Sequence, residues 1–279
     1  MSPRRPFAPL AALVALMALT GCGPADGGGG GGDALVLMQQ DAGPDAAMIV
    51  CNEGRRRAEG IEGPLNCGAE PEFVELDDRG RLFHIFAYEA SHPLAAADQA
   101  FPCAQSQGQV FEAPDVATEA CSLAGVRPWH SVRWRDANAA CEAIGWRLCS
   151  SAELTLACGG ESGQSYPYGQ AFETGACNVR EAFLPDGAEM AAEAPTGHFA
   201  DCVSPDGAYD MTGNLWEWTN ERDNMDPDAR VYQGAGWQTV AERHRDTDLV
   251  CDVTSVLGGF SAPSFARATV GFRCCREAP

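Results

Sequence analysis

Lysine is absent from this chain of 279 residues: all 19 basic residues are arginine. That excludes a Schiff-base lysine and the lysine of a phosphate-binding loop, which both need an ε-amine. No Cys-x-x-Cys occurs among the 13 cysteines, so the tight spacing of a zinc site or a redox dithiol is missing. "GGESGQS" from Gly159 lacks the Gly-x-Ser-x-Gly spacing of a serine nucleophile elbow. The five histidines are scattered, and a lone imidazole such as His130 or His244 more often makes a polar contact than a metal bond. Basic charge is also scarce. Against 39 acidic residues the net charge is −20, which repels nucleic acid and anionic lipid surfaces.

The N-terminus carries the first positive signal. Arg4 and Arg5 precede an apolar run at residues 10–19 that is too short to span a bilayer stably. The run closes in Leu19-Thr20-Gly21-Cys22, which resembles a bacterial lipoprotein signal with Cys22 as the lipidated new N-terminus. An ordinary secretory signal with a chance cysteine is the other reading; either predicts export. Removing Arg4 and Arg5 takes the basic count from 19 to 17, against 39 acidic, a net charge of −22. After Cys22 comes a stretch with six consecutive glycines, which cannot repay the entropy of folding and reads as a tether. The organisation is therefore a signal peptide over 1–21, a flexible glycine-rich tether over 22–47 and a folded domain over 48–279. The expected location is the bacterial cell envelope, held to the membrane by lipid on Cys22. Gly23 in place of Asp after that cysteine points to the outer membrane in a Gram-negative host.

Without Cys22, twelve cysteines remain of 13, an even number in an exported chain, which predicts as many as six disulfides. Ala137, Ala140, Cys141 and Ile144 recur at helical spacing, and Gly145 can end that helix. Ser150 with Glu153 forms a capping box for a second short helix through Leu154 and Cys158, stopped by Gly159-Gly160. "RLFHIFAYE" from Arg81 and "VGFRCC" from Val270 read as strands. Turn sequences such as "LPDG" from Leu184 and "SPDG" from Ser204 fill much of the rest, so an α+β domain with sparse regular structure is expected. No internal repeat occurs.

"YDMTGNLWEW" from Tyr209 sets Asp210 and Glu217 about a Gly213-Asn214 turn. It can be a core hairpin filled by Trp216 and Trp218, a catalytic acid pair, or a metal loop. Carboxylates with backbone carbonyls are hard oxygen donors that suit calcium rather than a transition metal. The 12-residue spacing of an EF-hand is absent, and nothing else in the chain resembles a sugar-cleaving cleft.

"VRWRDANAACEAIGWRLCSSAELTLACGG", "YPYG", "ACNV", "YDMTGNLWEWTNE", "RVYQGAGW" and "VGFRCC" occur in this order. Together they resemble the sulfatase-modifying factor family, that of the formylglycine-generating enzyme, over residues 83–275. The resemblance implies a C-type-lectin-like fold of the formylglycine-generating enzyme type, α+β, low in regular structure and stapled by disulfides. It implies structural calcium at Asp210, Gly213, Leu215 and Glu217, and a second site using Asn178 and Val179. It implies the disulfides Cys141–Cys274 and Cys158–Cys251. If "GFRCC" is a strand, Cys274 and Cys275 face opposite ways; Cys275 then pairs with Cys149, a strained vicinal ring being the alternative. Sequence proximity suggests Cys177–Cys202, Cys103–Cys121 and Cys51–Cys67.

Two functions follow from the resemblance. The enzyme oxidises a sulfatase cysteine to formylglycine with copper(I) on two thiolates, and in this chain those positions hold Thr239 and His244, while Gly236 replaces the family serine. Copper is therefore not expected, and no cysteine occurs between Cys202 and Cys251. Sulfoxide synthases of the family draw iron ligands from a further helical domain, and this chain offers no histidine cluster for such a site. The favoured reading is a non-catalytic binding or structural lipoprotein with a protein or glycan ligand on loops near 181–193 and 238–252; the alternative is the copper-dependent oxidoreductase. The lipid signal carries its own test. Cys22→Ser should move the protein from the membrane to the soluble fraction, and unchanged membrane partitioning would contradict lipidation.

Overall fold

A computed structural model describes residues 66–93, 95, 118–180, 193–239, 247–252 and 259–279, with the backbone of three short strands before them. Chain contacts separate residues 1–33 from residues 34–279, and every helix and strand named below belongs to the second unit. β1 (Leu35–Leu37), β2 (Met48–Asn52) and β3 (Arg55–Glu59) make an antiparallel sheet in that order. β1 falls within the stretch expected as tether: Leu35-Val36-Leu37 is strand-forming and pairs with β2. Cys22 and the glycine run lie outside the described residues.

β4 (Phe73–Asp78) and β5 (Arg81–Phe86) form a hairpin. Its two-residue turn, Arg79-Gly80, has φ of 56° and 92°, the positive pair whose twist matches the flanking strands. α1 (Trp134–Ala143) buries Ala137, Ala140 and Cys141 on one face. Gly145, at φ 74°, donates its N–H to the Glu142 carbonyl and closes the helix as its position requires. β6 (Arg147–Leu148) leads to α2 (Ser151–Gly159). The capping box forms: Ser150 Oγ accepts the Glu153 N–H at 3.2 Å, and Glu153 Oε2 accepts the Ser150 N–H at 2.9 Å. Glu153 also binds Arg147 at 2.7 Å, so a cap residue doubles as an ion-pair partner between β6 and α2.

β7 (Trp216–Arg222), β8 (Arg230–Gln233), β9 (Gly259–Ser261) and β10 (Val270–Phe272) make one sheet in the order β10-β7-β8-β9, with β10 parallel to β7. β11 (Cys274–Glu277) belongs to the other, ordered β4-β5-β11-β6 and antiparallel throughout. "VGFRCC" is thus two strands in two sheets, broken at Arg273. The chain leaves the first ladder there because the Arg273 side chain is wholly buried and must collect polar partners from elements of both sheets. Trp218, Phe272, Phe86 and Leu148 fill one core cluster with the inner face of α1. Phe83, Ile85, Leu154 and Ala157 fill a second.

Five disulfides cross-link the described residues. Cys141–Cys274 and Cys149–Cys275 tie α1 and the entry to α2 to successive residues of β11. Cys158–Cys251 ties α2 to the segment before β9, and Cys177–Cys202 joins two loops. The fifth corrects the pairing suggested by proximity: Cys67 bonds Cys121, so neither Cys51–Cys67 nor Cys103–Cys121 forms. Loop closure costs rise only logarithmically with length, so near neighbours in sequence have little advantage. Backbone contacts decide instead: the Cys67 N–H donates to Glu119 Oε2 at 2.9 Å, and Ser91 bridges Cys121. Cys103 and the Cys51 side chain lie outside the described residues. A non-reduced digest should yield a linked Cys67–Cys121 peptide; recovery of Cys103–Cys121 would contradict this arrangement.

Candidate functional site

The loop at residues 209–215 feeds β7 through three residues in the left-handed region: Asp210 (φ 56°), Gly213 (φ 80°) and Asn214 (φ 56°). Glycine is required at 213 twice over, since a Cβ there would also stand 2.6 Å from the Asn178 carbonyl oxygen. Asn214 donates its backbone N–H to that carbonyl at 2.8 Å. Its side-chain Oδ1 accepts the Asn178 Nδ2–H at 2.9 Å and the Ala194 N–H at 2.8 Å, while its Nδ2 donates to Glu89. Asn178 is thereby tied to the turn, and Val179 packs with Tyr166, Ala235 and Leu249.

Beneath the turn lies a charge cluster that the sequence reveals only in part. Glu89, Asp210 and Glu217 are buried, and the guanidinium of Arg273 is buried among them. Arg273 Nε donates to Glu217 Oε1 at 2.8 Å, Nη1 to the Phe86 carbonyl at 3.0 Å, and Nη2 to the Tyr209 carbonyl. Glu89 Oε1 accepts the Leu215 N–H at 2.9 Å, and Asp210 Oδ2 accepts the Gly197 N–H at 2.7 Å. Burial pushes all three carboxyls up: Glu89 well above the usual range, with Asp210 and Glu217 adding to it, and Asp210 to about 6. Arg273 opposes the rise at each, but one cation cannot neutralise three anions. Glu89 and Arg273 were missed in sequence. The signal was a charged residue inside the apolar runs "FAYEASHP" and "VGFRCC", which obliges a buried counter-charge.

Among the described residues, no group of three or more His, Cys, Asp or Glu side chains converges as metal ligands. Of the six positions offered to calcium, Glu217 and Leu215 line a small cavity of about 10 Å³, enough for roughly one water-sized particle. The Met211 and Leu215 carbonyl oxygens lie 3.7 and 4.0 Å from the place a Cβ on Gly234 would occupy. One carboxylate and two carbonyls are oxygen donors of the kind a hard cation takes, three of the roughly six to eight that calcium uses, and the Glu217 Oε1 already accepts from Arg273. Asp210 is directed to Gly197, and Asn178 holds the Gly213-Asn214 turn.

After β8 the chain runs Gly234-Ala235-Gly236-Trp237-Gln238-Thr239. A Cβ on Gly236 would stand 2.9 Å from Trp216 Cδ1, so any side chain there forces the indole to move. Thr239 is buried and serves the turn: its Oγ1 accepts the Gly236 N–H at 3.1 Å, and its own N–H donates to the Gly236 carbonyl at 2.8 Å. Every cysteine among the described residues is in a disulfide, Cys251 included. His244 lies outside them.

The sequence model of the sulfatase-modifying factor enzyme 1-like domain matches residues 89–278. The chain belongs to this family. Inactive C-alpha-formylglycine-generating enzyme 2 from Bos taurus is 34% identical over 156 residues, 53% of this chain and 49% of that protein. Its Mus musculus counterpart is 34% identical over 156 residues, 53% of this chain and 48% of its own. The chain thus spans about half the length of these relatives. The structure of PvdO from Pseudomonas aeruginosa is 17% identical with a TM-score of 0.47, covering 88% of this chain and 98% of its own. The fold is the formylglycine-generating enzyme type, within the C-type-lectin-like class; the described residues carry two short helices, one mixed sheet, two antiparallel sheets and disulfides in place of longer elements.

In this family member the carboxyl cluster sets a pH response. Asp210 has a folded value near 6 against 3.8 for the free group, so the folded state holds more protons between those values. Stability is greatest below about pH 4 on this account and falls as pH rises through about 6, by on the order of 2–3 kcal/mol. Urea unfolding of calcium-free protein should show that fall, and Asp210→Asn should lessen it, with Glu89 and Glu217 supplying the remainder. An equal slope in the variant would remove Asp210 as its source.

Proposed function

We propose that this domain is a non-catalytic binding or structural module of an exported lipoprotein, and that it does not generate formylglycine. The single observation behind this is the state of the thiols: every described cysteine is in a disulfide, and Thr239, at one position where the resemblance asks for a thiolate, is bonded within its own turn. A hydroxyl and an imidazole cannot replace a two-thiolate copper(I) site, so the loss is complete rather than partial. The packing of Trp216 against Gly236 supports the same reading, because it fills the space of the family serine. The relatives from cattle and mouse are named as inactive enzymes, which agrees with it.

To test this, the mature protein is denatured without reductant, its thiols are counted, and it is incubated with copper and a sulfatase-motif peptide. No thiol and no peptide oxidation are expected. A reactive thiol together with copper-dependent oxidation would overturn the proposal.

Calcium is the cofactor this reading assigns, as a staple rather than a reagent. Glu217 and the carbonyls of Leu215 and Met211 would hold it, supplying positive charge where carboxylates outnumber Arg273. Because an ion bound only by the folded state stabilises it by mass action, chelator should lower the melting temperature of the wild type and leave Glu217→Ala unaffected. A melting temperature indifferent to chelator and to added calcium would leave Glu217 as the partner of Arg273 alone.

A further inference from the structure

We infer that the groove between residues 122–126 and 195–200 is a docking site for a cationic side chain, arginine or lysine, of a partner polypeptide. This rests on the reading of the domain as a binding module, and its lining residues are not those of the Gly236–Thr239 turn. The groove has a volume of about 490 Å³, within the range of sites that hold specific ligands, and is open to solvent. Tyr88 and Tyr209 form its aromatic lining, with ring centroids 5.1 Å apart and planes at 15°. Gly197, at φ 68°, lays bare backbone against the rings: a Cβ there would lie 2.8 Å from Tyr88 Cε1. Pro195, His198 and Gly125 complete the lining.

The walls are fixed to one another. The Gly125 N–H donates to the Thr196 carbonyl at 2.9 Å, the Thr196 N–H to the Val126 carbonyl at 2.8 Å, and the Val126 N–H to Thr196 Oγ1 at 3.3 Å. A groove that is already formed loses little entropy on binding.

Charge selects the occupant. Among the described residues, no arginine lines the groove. The Glu72 carboxylate stands beside the groove, its Oε1 accepting the N–H of the lining residue Ala124 at 3.4 Å, and burial, followed by Glu72, Tyr209 and Asp210, pushes the Tyr88 phenol up. Aromatic faces next to carboxylates attract a cation and repel an anion, and the chain carries a net charge of −20. An open groove suits a side chain delivered by a passing polypeptide better than a small free amine, which gains most from enclosure.

Calorimetry on the mature protein with acetyl-Gly-Arg-Gly-amide, its citrulline counterpart and spermidine tests this. The arginine peptide should bind about 10-fold tighter than the citrulline peptide; Tyr88→Leu and Tyr209→Leu should remove that margin, while Tyr88→Phe and Tyr209→Phe keep it. Asp228→Asn, on the exposed turn between β7 and β8, should change nothing. Equal binding of arginine and citrulline peptides, or loss in Asp228→Asn matching that in the leucine variants, would overturn the site. Spermidine binding as tightly as the peptide would overturn the polypeptide partner. The two readings fail separately, since peptide oxidation bears on the function and the tyrosine variants bear on the groove.

Discussion

A guanidinium with no solvent exposure, that of Arg273, stands where the chain passes from one sheet to the other. A buried charge is tolerated only when paired and fully hydrogen-bonded. Arg273 meets that demand by drawing in Glu217 from β7, a carbonyl from the end of β5 and a carbonyl from the loop before β7. Each partner comes from a different part of the chain, so satisfying one side chain sets the relative positions of three elements. The break in "VGFRCC" and the course of the 209–215 loop both follow from it. The adjacent disulfides at Cys274 and Cys275 hold the following strand in register with α1 and β6.

The carboxylates around that arginine explain why the loop looks like a metal site. Three acids face one base, and burial raises all three carboxyls toward the protonated form. The Gly236–Thr239 turn is closely packed, with Trp216 against Gly236 and Thr239 bonding within its own backbone. A scaffold of this kind is separable from any one reaction. What it still offers is an array of loops on a cross-linked frame, including a tyrosine-lined groove with an acidic surround.

Local signals in the sequence were reliable where a single residue type suffices. Gly145 and the Ser150–Glu153 box end and begin helices because left-handed backbone and orphan amides leave few alternatives. Cys149 facing Cys275 was legible from alternation along one strand, although the apolar run that suggested it is divided between two sheets at Arg273. Long-range choices were not legible. Nothing local in Cys67 distinguishes Cys121 from Cys51, since the decision lies in backbone contacts with Glu119 and Ser91. The site was half visible for the same reason: Asp210 and Glu217 share one motif, whereas Glu89 and Arg273 reach it only through the fold.

The most direct measurement is a double-mutant cycle on Arg273 and Glu217 by urea unfolding. If their pairing is the constraint on which the domain depends, Arg273→Met alone should cost about 3–5 kcal/mol, because it leaves buried carboxylates without a counter-charge. Adding Glu217→Gln should then cost much less than it does in the wild type, giving a coupling on the order of 2 kcal/mol or more. Additive effects, or an Arg273→Met protein as stable as the wild type, would contradict the account.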